Sequence, residues 1–194
     1  MRITIQQAAQ RLLSQDRILI LSHKSPDGDT LGSAYALLYA LYAQNKTAQV
    51  ICGDPIPPQF AYLSDGEKNV SFEPSFIVAV DVASRELLGK ALSDYALRVD
   101  LCIDHHRTNE GYAKETLVDD QAAAACELLY AVIREMDVPI TGRIASCLYT
   151  GIATDSGCFK YPNTTARTHQ IAADLIEAGA DYVRTNRELF DTKS

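Results

Sequence analysis

Four separated stretches of the chain carry histidines and acids in arrangements suited to binding divalent metal ions. In the first stretch, His23 is followed by Asp27 four residues later and by Asp29 two residues further on. One imidazole and two carboxylates form a mixed nitrogen and oxygen ligand set that Mn²⁺ accepts, whereas a soft-metal site would need thiolates. Gly28 allows the backbone to reverse, so that the two acids can serve different ions. Taken alone, this stretch is interpreted equally well as a helix-capping loop with an Asx-turn.

The other three stretches follow apolar segments. Asp81 ends one apolar run, and the triplet Asp104, His105 and His106 follows another. Asp155 lies between small residues where an apolar helical pattern stops. A lone acid at the end of a strand or helix is often only a capping residue, but two adjacent imidazoles at the exit of a strand rarely serve packing. The triplet is therefore the most informative of the four stretches.

The elements that must position these side chains alternate between strand and helix. Apolar runs at 17–22, 47–52, 75–81 and 98–103 predict four strands, and helical patterns predominate after residue 121. Strands that are joined through helices or long connections form a largely parallel sheet. We therefore predict an α/β fold, a mostly parallel sheet with flanking helices.

In parallel sheets, ligands bind beyond the carboxyl ends of the strands. Three of the predicted strands end in polar clusters, which we expect to meet at that edge of the sheet. The helix after the first cluster is expected to begin with Asp29 or Thr30 as its N-cap.

Composition and charge narrow the function classes. The chain has 194 residues, with 47% hydrophobic and 22% charged residues, which is typical of one globular α/β domain. A net charge of −7 argues against a protein that tracks long nucleic acid by electrostatic attraction, but not against a short phosphorylated substrate. No apolar run approaches a membrane span and no signal peptide is evident, so we expect a cytoplasmic protein. The five cysteines form no C-x-x-C pair and are interpreted as reduced, mostly buried thiols.

Together, the four stretches resemble the DHH phosphoesterase superfamily. Its pattern is a histidine-x-x-x-Asp-x-Asp loop, an Asp ending a strand, an Asp-His-His triplet and a later Asp in a Thr-Asp segment, and all four occur in this order within 23–155. The chain looks most like the bacterial oligoribonuclease and 3′-phosphoadenosine 5′-phosphate phosphatase branch, often called nanoRNase. The stretches that carry this likeness are LSHKSPDGDTLGSAYAL, VAVDVAS, DHHRTNEGYA and TGIATDSGCFKYPNTTARTHQIAADLIEAGAD.

The resemblance implies two divalent cations, Mn²⁺ or else Mg²⁺ or Co²⁺, that share Asp81 as a bridging ligand. The other ligands of the first ion would be His23 and Asp27. The other ligands of the second ion would be Asp29, His105 and Asp155.

The resemblance also implies a metal-dependent phosphoesterase, in which water activated between two ions attacks phosphorus. Its substrates would be short RNA oligonucleotides cut to mononucleotides, adenosine 3′,5′-bisphosphate losing its 3′-phosphate, or both. His106 would face the substrate phosphate, Asp104 would orient a histidine, and Asn109 and Arg107 would lie near the substrate. A pyrophosphatase, a phosphodiesterase acting on cyclic-dinucleotide products and a non-catalytic nucleotide sensor remain as alternatives.

One feature of the branch is missing from the sequence. Its members carry a C-terminal substrate-binding domain with a glycine-rich segment that ends in histidine, and no such segment occurs here. We therefore expect residues 1–190 to form a DHH catalytic domain alone, either as a fragment or as a natural short form. The oligomeric state is left open, with a homodimer included.

Overall fold

The computed structural model describes residues 1–68 and 70–191 and shows strands and helices in alternation. The strands are β1 (Ile18–Ser22), β2 (Ala48–Cys52), β3 (Phe76–Val80), β4 (Leu101–Asp104) and β5 (Glu115–Val118). The α-helices are α1 (Ile5–Ser14), α2 (Gly28–Ala43), α3 (Ser93–Ala96), α4 (Ala125–Glu135), α5 (Gly142–Asp155), α6 (Ala166–Glu177) and α7 (Tyr182–Asn186). Segments of 3₁₀ helix lie at Pro58–Ser64, Arg85–Leu88 and Lys90–Leu92, and a short π-helix lies at Arg187–Asp191.

The strands form one sheet in the order β2-β1-β3-β4-β5, and all neighbouring pairs are parallel. Ile20 in β1 pairs with Val50 in β2 and with Val78 in β3. All five carboxyl ends therefore lie at the same edge of the sheet. The predicted α/β fold with a parallel sheet and flanking helices is confirmed.

Both faces of the sheet are covered, as all-parallel sheets require. Alternate residues of β1 point to opposite faces, because side chains alternate along a strand. Ile18 and Ile20 pack into the large core formed with α1, α2, α4 and α5. Leu19 and Leu21 pack into a smaller core with the short helical segments that follow β3. This arrangement fixes the orientation of the strand ends that carry the candidate ligands.

The structure differs from the sequence prediction in several boundaries. Strand β5 was not predicted, because its four residues are flanked by charged ones and gain their extended form from pairing with β4. Strand β4 begins at Leu101 rather than 98, and α4 begins at Ala125 rather than 121. The prediction for the N-cap of α2 was wrong: Asp27 is the cap, and its Oδ1 accepts hydrogen bonds from the backbone N–H groups of Asp29 and Thr30, both at 3.1 Å. Asp29 already belongs to the helix.

Helices α2 and α5 approach each other closely at glycines. A Cβ atom on Gly151 would lie 2.7 Å from Asp29 Oδ1 and would overlap the sulfur of Cys126. A Cβ atom on Gly32 would overlap the carbonyl oxygen of Cys147. Only glycine allows this approach, which places the first turn of α2 beside the last turn of α5.

The structure also bears on the cysteines and on the length of the helices. All five cysteines are free thiols, and three of them are buried: Cys102, Cys126 and Cys147. Within the described residues, none of the helices has the length and apolar character that crossing a bilayer requires.

Candidate metal centre

The sequence-predicted ligands come together at the carboxyl edge of the sheet. Three of them follow strands directly, and two come from helix ends. His23, Asp81 and His105 lie one residue beyond β1, β3 and β4, respectively. Asp29 occupies the first turn of α2, and Asp155 is the last residue of α5. Asp27, the cap of α2, completes the group.

Asp81 occupies the middle of this group. Its backbone adopts the left-handed region with φ +57°, and its N–H donates to the carbonyl oxygen of Ile103 at 2.9 Å. The carboxylate is buried, with Oδ2 3.6 Å from His23 Nε2 and Oδ1 3.6 Å from His105 Nε2. The two oxygens of one carboxylate therefore face two different histidines, which is the arrangement of a bridging ligand.

The first cluster consists of His23, Asp27 and Asp81. His23 Nε2 lies 3.6 Å from Asp27 Oδ1, in addition to its approach to Asp81. His23 Nδ1 lies 2.8 Å from the carbonyl oxygen of Lys24. Because a carbonyl can only accept, Nδ1 carries a hydrogen, and in the neutral ring the Nε2 lone pair is free to bind a cation.

The second cluster consists of Asp29, His105 and Asp155. His105 Nε2 lies 3.3 Å from Asp155 Oδ2 and 3.7 Å from Asp29 Oδ2. Its Nδ1 lies 3.2 Å from the carbonyl oxygen of Ala122, which assigns the hydrogen to Nδ1 as in His23. Each cluster thus contains one imidazole whose Nε2 points at carboxylates.

These side chains fit a pair of divalent cations. Ligand atoms about 2.1 Å from an ion lie about 3.0 Å apart in an octahedron and about 3.4 Å apart in a tetrahedron. The separations of 3.3 to 3.7 Å agree better with such polyhedra than with direct hydrogen bonds. Asp81 Oδ1 and His105 Nε2 are also buried without a hydrogen-bond partner among the described residues. The donor set of imidazole nitrogen and carboxylate oxygen suits divalent cations such as Mn²⁺.

Burial and the charges of neighbouring acids raise the pKa values of Asp29 and Asp81. Asp29 is fully buried, and its carboxylate accepts hydrogen bonds from the backbone N–H groups of Ala125 and Cys126 at the start of α4, at 2.6 and 3.0 Å. Burial, reinforced by the charges of Asp81 and Asp155, raises the pKa of Asp29. Burial likewise raises the pKa of Asp81 to about 6. Bound cations would relieve this accumulation of negative charge.

The two histidines respond to the same acids in the opposite direction. Burial lowers the pKa of His23, but the carboxylates of Asp27 and Asp81 outweigh it and raise the pKa to about 11. Burial also opposes charging of His105, and its neighbours, Asp155 foremost, raise its pKa to about 10. Without metal, protons on these rings therefore take the place of the positive charge that cations would supply.

The rest of the triplet forms a chain of hydrogen bonds next to Asp81, whose Oδ1 lies 3.5 Å from His106 Nδ1; Asp81, His105 and His106 are a third group that could hold an ion. Asp104 is fully buried, and its Oδ1 accepts from His106 Nδ1 at 2.8 Å. Its Oδ2 accepts from the side-chain amide of Asn109 at 2.6 Å. Because Asp104 binds Nδ1, the Nε2 atom of His106 remains available, and the side chain is 43% exposed. Asp104 therefore orients His106, and the Asn109 amide orients Asp104.

Asn109 and Arg107 were both expected near the substrate. The amide nitrogen of Asn109 is directed at Asp104, and its Oδ1 accepts from the backbone N–H of Gly111 at 2.8 Å. Arg107 is 91% exposed, and its Nε atom lies 3.7 Å from Asp120 Oδ2.

Sequence reasoning missed the groups that support the ligands from behind. Asn163 donates to the carbonyl oxygens of Asp155 and Ala123, at 3.0 and 3.1 Å, and so joins the end of α5 to the turn that orients His105. The carbonyl groups of Lys24 and Ala122 set the orientation of the histidine rings. Every residue has a backbone carbonyl, so the sequence cannot show which carbonyl orients a histidine. An asparagine in a loop can have many other roles, so Asn163 could not be singled out either.

Comparisons with known proteins identify a family model, curated relatives and a solved structure that match this chain. The DHH family, N-terminal domain, matches residues 17–152. The bifunctional oligoribonuclease and PAP phosphatase NrnA of Thermus thermophilus is 32% identical over 84% of this chain and 50% of that protein. The protein of the same name from Mycoplasma genitalium is 32% identical over 92% of this chain and 58% of that protein. The crystal structure of an exopolyphosphatase-related protein from Bacteroides fragilis superposes with a TM-score of 0.87 and 26% identity, covering 98% of this chain and 61% of that one. The chain thus spans half to about three fifths of the length of these relatives.

Proposed function

The chain belongs to the DHH family, and from that premise we propose that its clustered acids and histidines form a two-cation phosphoesterase centre. The substrates that we propose are short RNA oligonucleotides cut to mononucleotides, adenosine 3′,5′-bisphosphate losing its 3′-phosphate, or both. The relatives named above carry these two activities in their names. The observation that carries the proposal is the Asp81 carboxylate, whose two oxygens each lie 3.6 Å from the Nε2 atom of a different histidine.

We assign the first ion to His23, Asp27 and Asp81, and the second ion to Asp29, Asp81, His105 and Asp155. This assignment is supported by the separations between ligand atoms in the two clusters and by the orphaned polar atoms of Asp81 and His105. Two divalent cations, which we propose to be Mn²⁺, would lower the pKa of a water molecule and offset charge on the phosphoryl oxygens. Mg²⁺ and Co²⁺ are the alternatives that the same ligand set accepts.

His106 acts on the substrate in this proposal. Its hydrogen bond to Asp104 raises its pKa, so that the ring tends to carry a proton. A protonated Nε2 can donate to a phosphoryl oxygen or to the departing oxygen, which stabilises the charge that develops there. Asp104 keeps its own charge, because the hydrogen bonds from His106 and Asn109 outweigh the effect of burial and lower its pKa. Asp104 therefore acts as a positioning residue.

The test is turnover of three substrates by the purified chain. Adenosine 3′,5′-bisphosphate, an RNA dinucleotide and pyrophosphate are each incubated with Mn²⁺, Mg²⁺ or Co²⁺, and the products are separated by chromatography. We expect hydrolysis of the bisphosphate or the dinucleotide, with Mn²⁺ giving the fastest rate, and little hydrolysis of pyrophosphate. A preference for pyrophosphate would overturn the substrate assignment. Binding of the nucleotides without any turnover would indicate a sensor instead.

A further inference from the structure

A groove of about 490 Å³ lies beside the first ligand cluster. Lys24, Arg85 and Lys90 contribute basic side chains to its lining, and Glu86 contributes the one carboxylate. Ala96 and Leu97 are among the apolar groups that line it. Its volume lies within the range of roughly 300 to 1,000 Å³ that small-molecule sites occupy.

The groove is connected to the metal centre through the backbone. Lys24 follows His23, and the carbonyl group of Lys24 accepts the hydrogen bond from the His23 ring. The N–H of Lys24 donates to the carbonyl oxygen of Leu87 at 2.7 Å, which joins the His23 loop to the 3₁₀ segment Arg85–Leu88. That segment begins four residues after Asp81. The groove residue Lys24 therefore follows the proposed ligand His23 directly, and the groove residue Arg85 follows the proposed ligand Asp81 by four positions.

The three basic side chains of the groove outnumber its one carboxylate, that of Glu86. Elsewhere in the described part of the chain, Arg11, Lys114 and Arg167 are paired with acids. Lys24, Arg85 and Lys90 have no such partner among the described residues, although Arg85 donates to the carbonyl oxygen of Tyr112. In a chain of net charge −7, three unpaired cations beside one groove suit an anionic ligand.

The groove also exposes apolar surface. Leu97 is 74% exposed, although it adjoins the buried Ala96. A nucleotide combines the two features that the groove offers, because its phosphate is anionic and its base has apolar faces.

We propose that this groove binds the nucleotide that adjoins the cleaved phosphate group of an oligonucleotide. Lys24 and Lys90 contact its backbone phosphate, and Leu97 contacts its base. The inference rests on the proposed function and deepens it, because adenosine 3′,5′-bisphosphate has a single nucleoside and leaves the groove empty. The groove therefore favours oligonucleotides over the bisphosphate.

The test compares the parent chain with variants in which an exposed lysine of the groove is replaced by uncharged glutamine. Lys24→Gln, Lys90→Gln and the double variant are each titrated into a labelled RNA tetranucleotide with Ca²⁺ present, and binding is followed by fluorescence anisotropy. Salt is varied between about 50 and 200 mM, because each lost phosphate contact makes the slope of log K against log salt less negative by about 0.7 for single strands. Because both lysines contact the same phosphate, we expect the slope to change by about 0.7 in the double variant and by less in each single variant. The KM for tetranucleotide hydrolysis should rise about two- to fivefold per lysine, and more than the KM for the bisphosphate.

Lys68→Gln is the matched control. The Lys68 ammonium group lies 4.5 Å from the ring centroid of Tyr42, in the last turn of α2. The first turn of that 16-residue helix carries Asp29, so the control charge is about 20 Å or more from the metal centre. We expect Lys68→Gln to keep the parent slope. Leu97→Asn should weaken tetranucleotide binding without changing the slope, because it alters the base contact alone.

The possible results separate the groove from the function itself. The groove proposal is overturned if the double variant keeps the parent's slope of log K against log salt. It is also overturned if Lys68→Gln changes that slope as much as the double variant does. Turnover of the bisphosphate without tetranucleotide binding also overturns the groove, but leaves the phosphoesterase proposal standing. Failure to hydrolyse either nucleotide substrate refutes the proposed function and the groove with it. Thermal unfolding of each variant, which we expect to match the parent, confirms that the fold is kept.

Discussion

Replacing Asp81 with asparagine tests the bridging ligand without disturbing the backbone. Asp81 has φ +57°, a left-handed conformation that asparagine adopts almost as easily as aspartate. Alanine would add strain there and confuse loss of metal with loss of fold. Asparagine also keeps nearly the same side-chain volume in a position that is only 2% exposed. The change therefore removes the negative charge and little else.

The expected magnitude follows from the repulsion between the two ions. Divalent cations in two-metal sites lie about 3.5 to 4 Å apart. At that distance two such charges repel by about 4.5 kcal/mol even with the dielectric constant of water. This energy corresponds to a factor of roughly 10³ in a binding constant. Because the Asp81 carboxylate has one oxygen facing each cluster, its charge offsets this repulsion most directly. Asp81→Asn should therefore weaken binding of the second ion by about 10³-fold or more, and hydrolysis should fall by a similar factor.

Calorimetric titration with Mn²⁺ measures the number of ions and their affinities, and hydrolysis of adenosine 3′,5′-bisphosphate measures the activity. Asp137→Asn is the matched control, because Asp137 is an exposed aspartate with φ +56° beyond the end of α4. It undergoes the same chemical change in the same backbone conformation, and we expect parent values for it. If Asp81→Asn bound two ions with affinities close to those of the parent, the bridging assignment would be wrong.

Three further predictions concern other parts of the centre. His106→Gln should lower kcat by about 10²-fold or more, and calorimetry should show the same number of bound Mn²⁺ ions as in the parent. A loss of bound metal would instead indicate that His106 is a ligand. Gly151→Ala should lower the free energy of unfolding by about 1 to 3 kcal/mol, as measured by denaturant titration. It should also weaken metal binding, because the new Cβ would lie 2.7 Å from Asp29 Oδ1. Values equal to those of the parent would contradict the close packing. The raised pKa values of His23, about 11, and His105, about 10, mean that metal must displace protons at neutral pH. Apparent Mn²⁺ affinity should therefore rise between about pH 6 and 8, with proton release detected by calorimetry in buffers of different ionisation enthalpy; pH-independent affinity would argue against displacement.

The sequence predicted where these acids and histidines cluster because that position follows from topology. Once apolar runs joined by helices indicate a parallel sheet, the residues that follow each strand must share one edge. His23, Asp81 and His105 are brought together by this rule alone. The spacing in the first loop then adds Asp27 and Asp29, although the predicted cap of α2, Asp29 or Thr30, was wrong because Asp27 occupies that position.

Other features depend on contacts between distant segments and could not be predicted. The left-handed conformation of Asp81 accompanies a hydrogen bond to Ile103 in the neighbouring chain segment. Likewise, the Asn109 amide binds Asp104 only because the loop after β4 folds back on the strand. Gly151 looks like an ordinary small residue in a helix until α2 is packed against it. Local propensity contains no information about such partners.

Anomalous scattering from crystals of the chain grown with Mn²⁺ tests the central claim most directly. We predict two peaks about 3.5 to 4 Å apart, one between His23 Nε2 and Asp81 Oδ2 and the other between His105 Nε2 and Asp81 Oδ1. No peak at these positions, or a single ion that leaves one of the two histidines unbound, would contradict the two-cation centre.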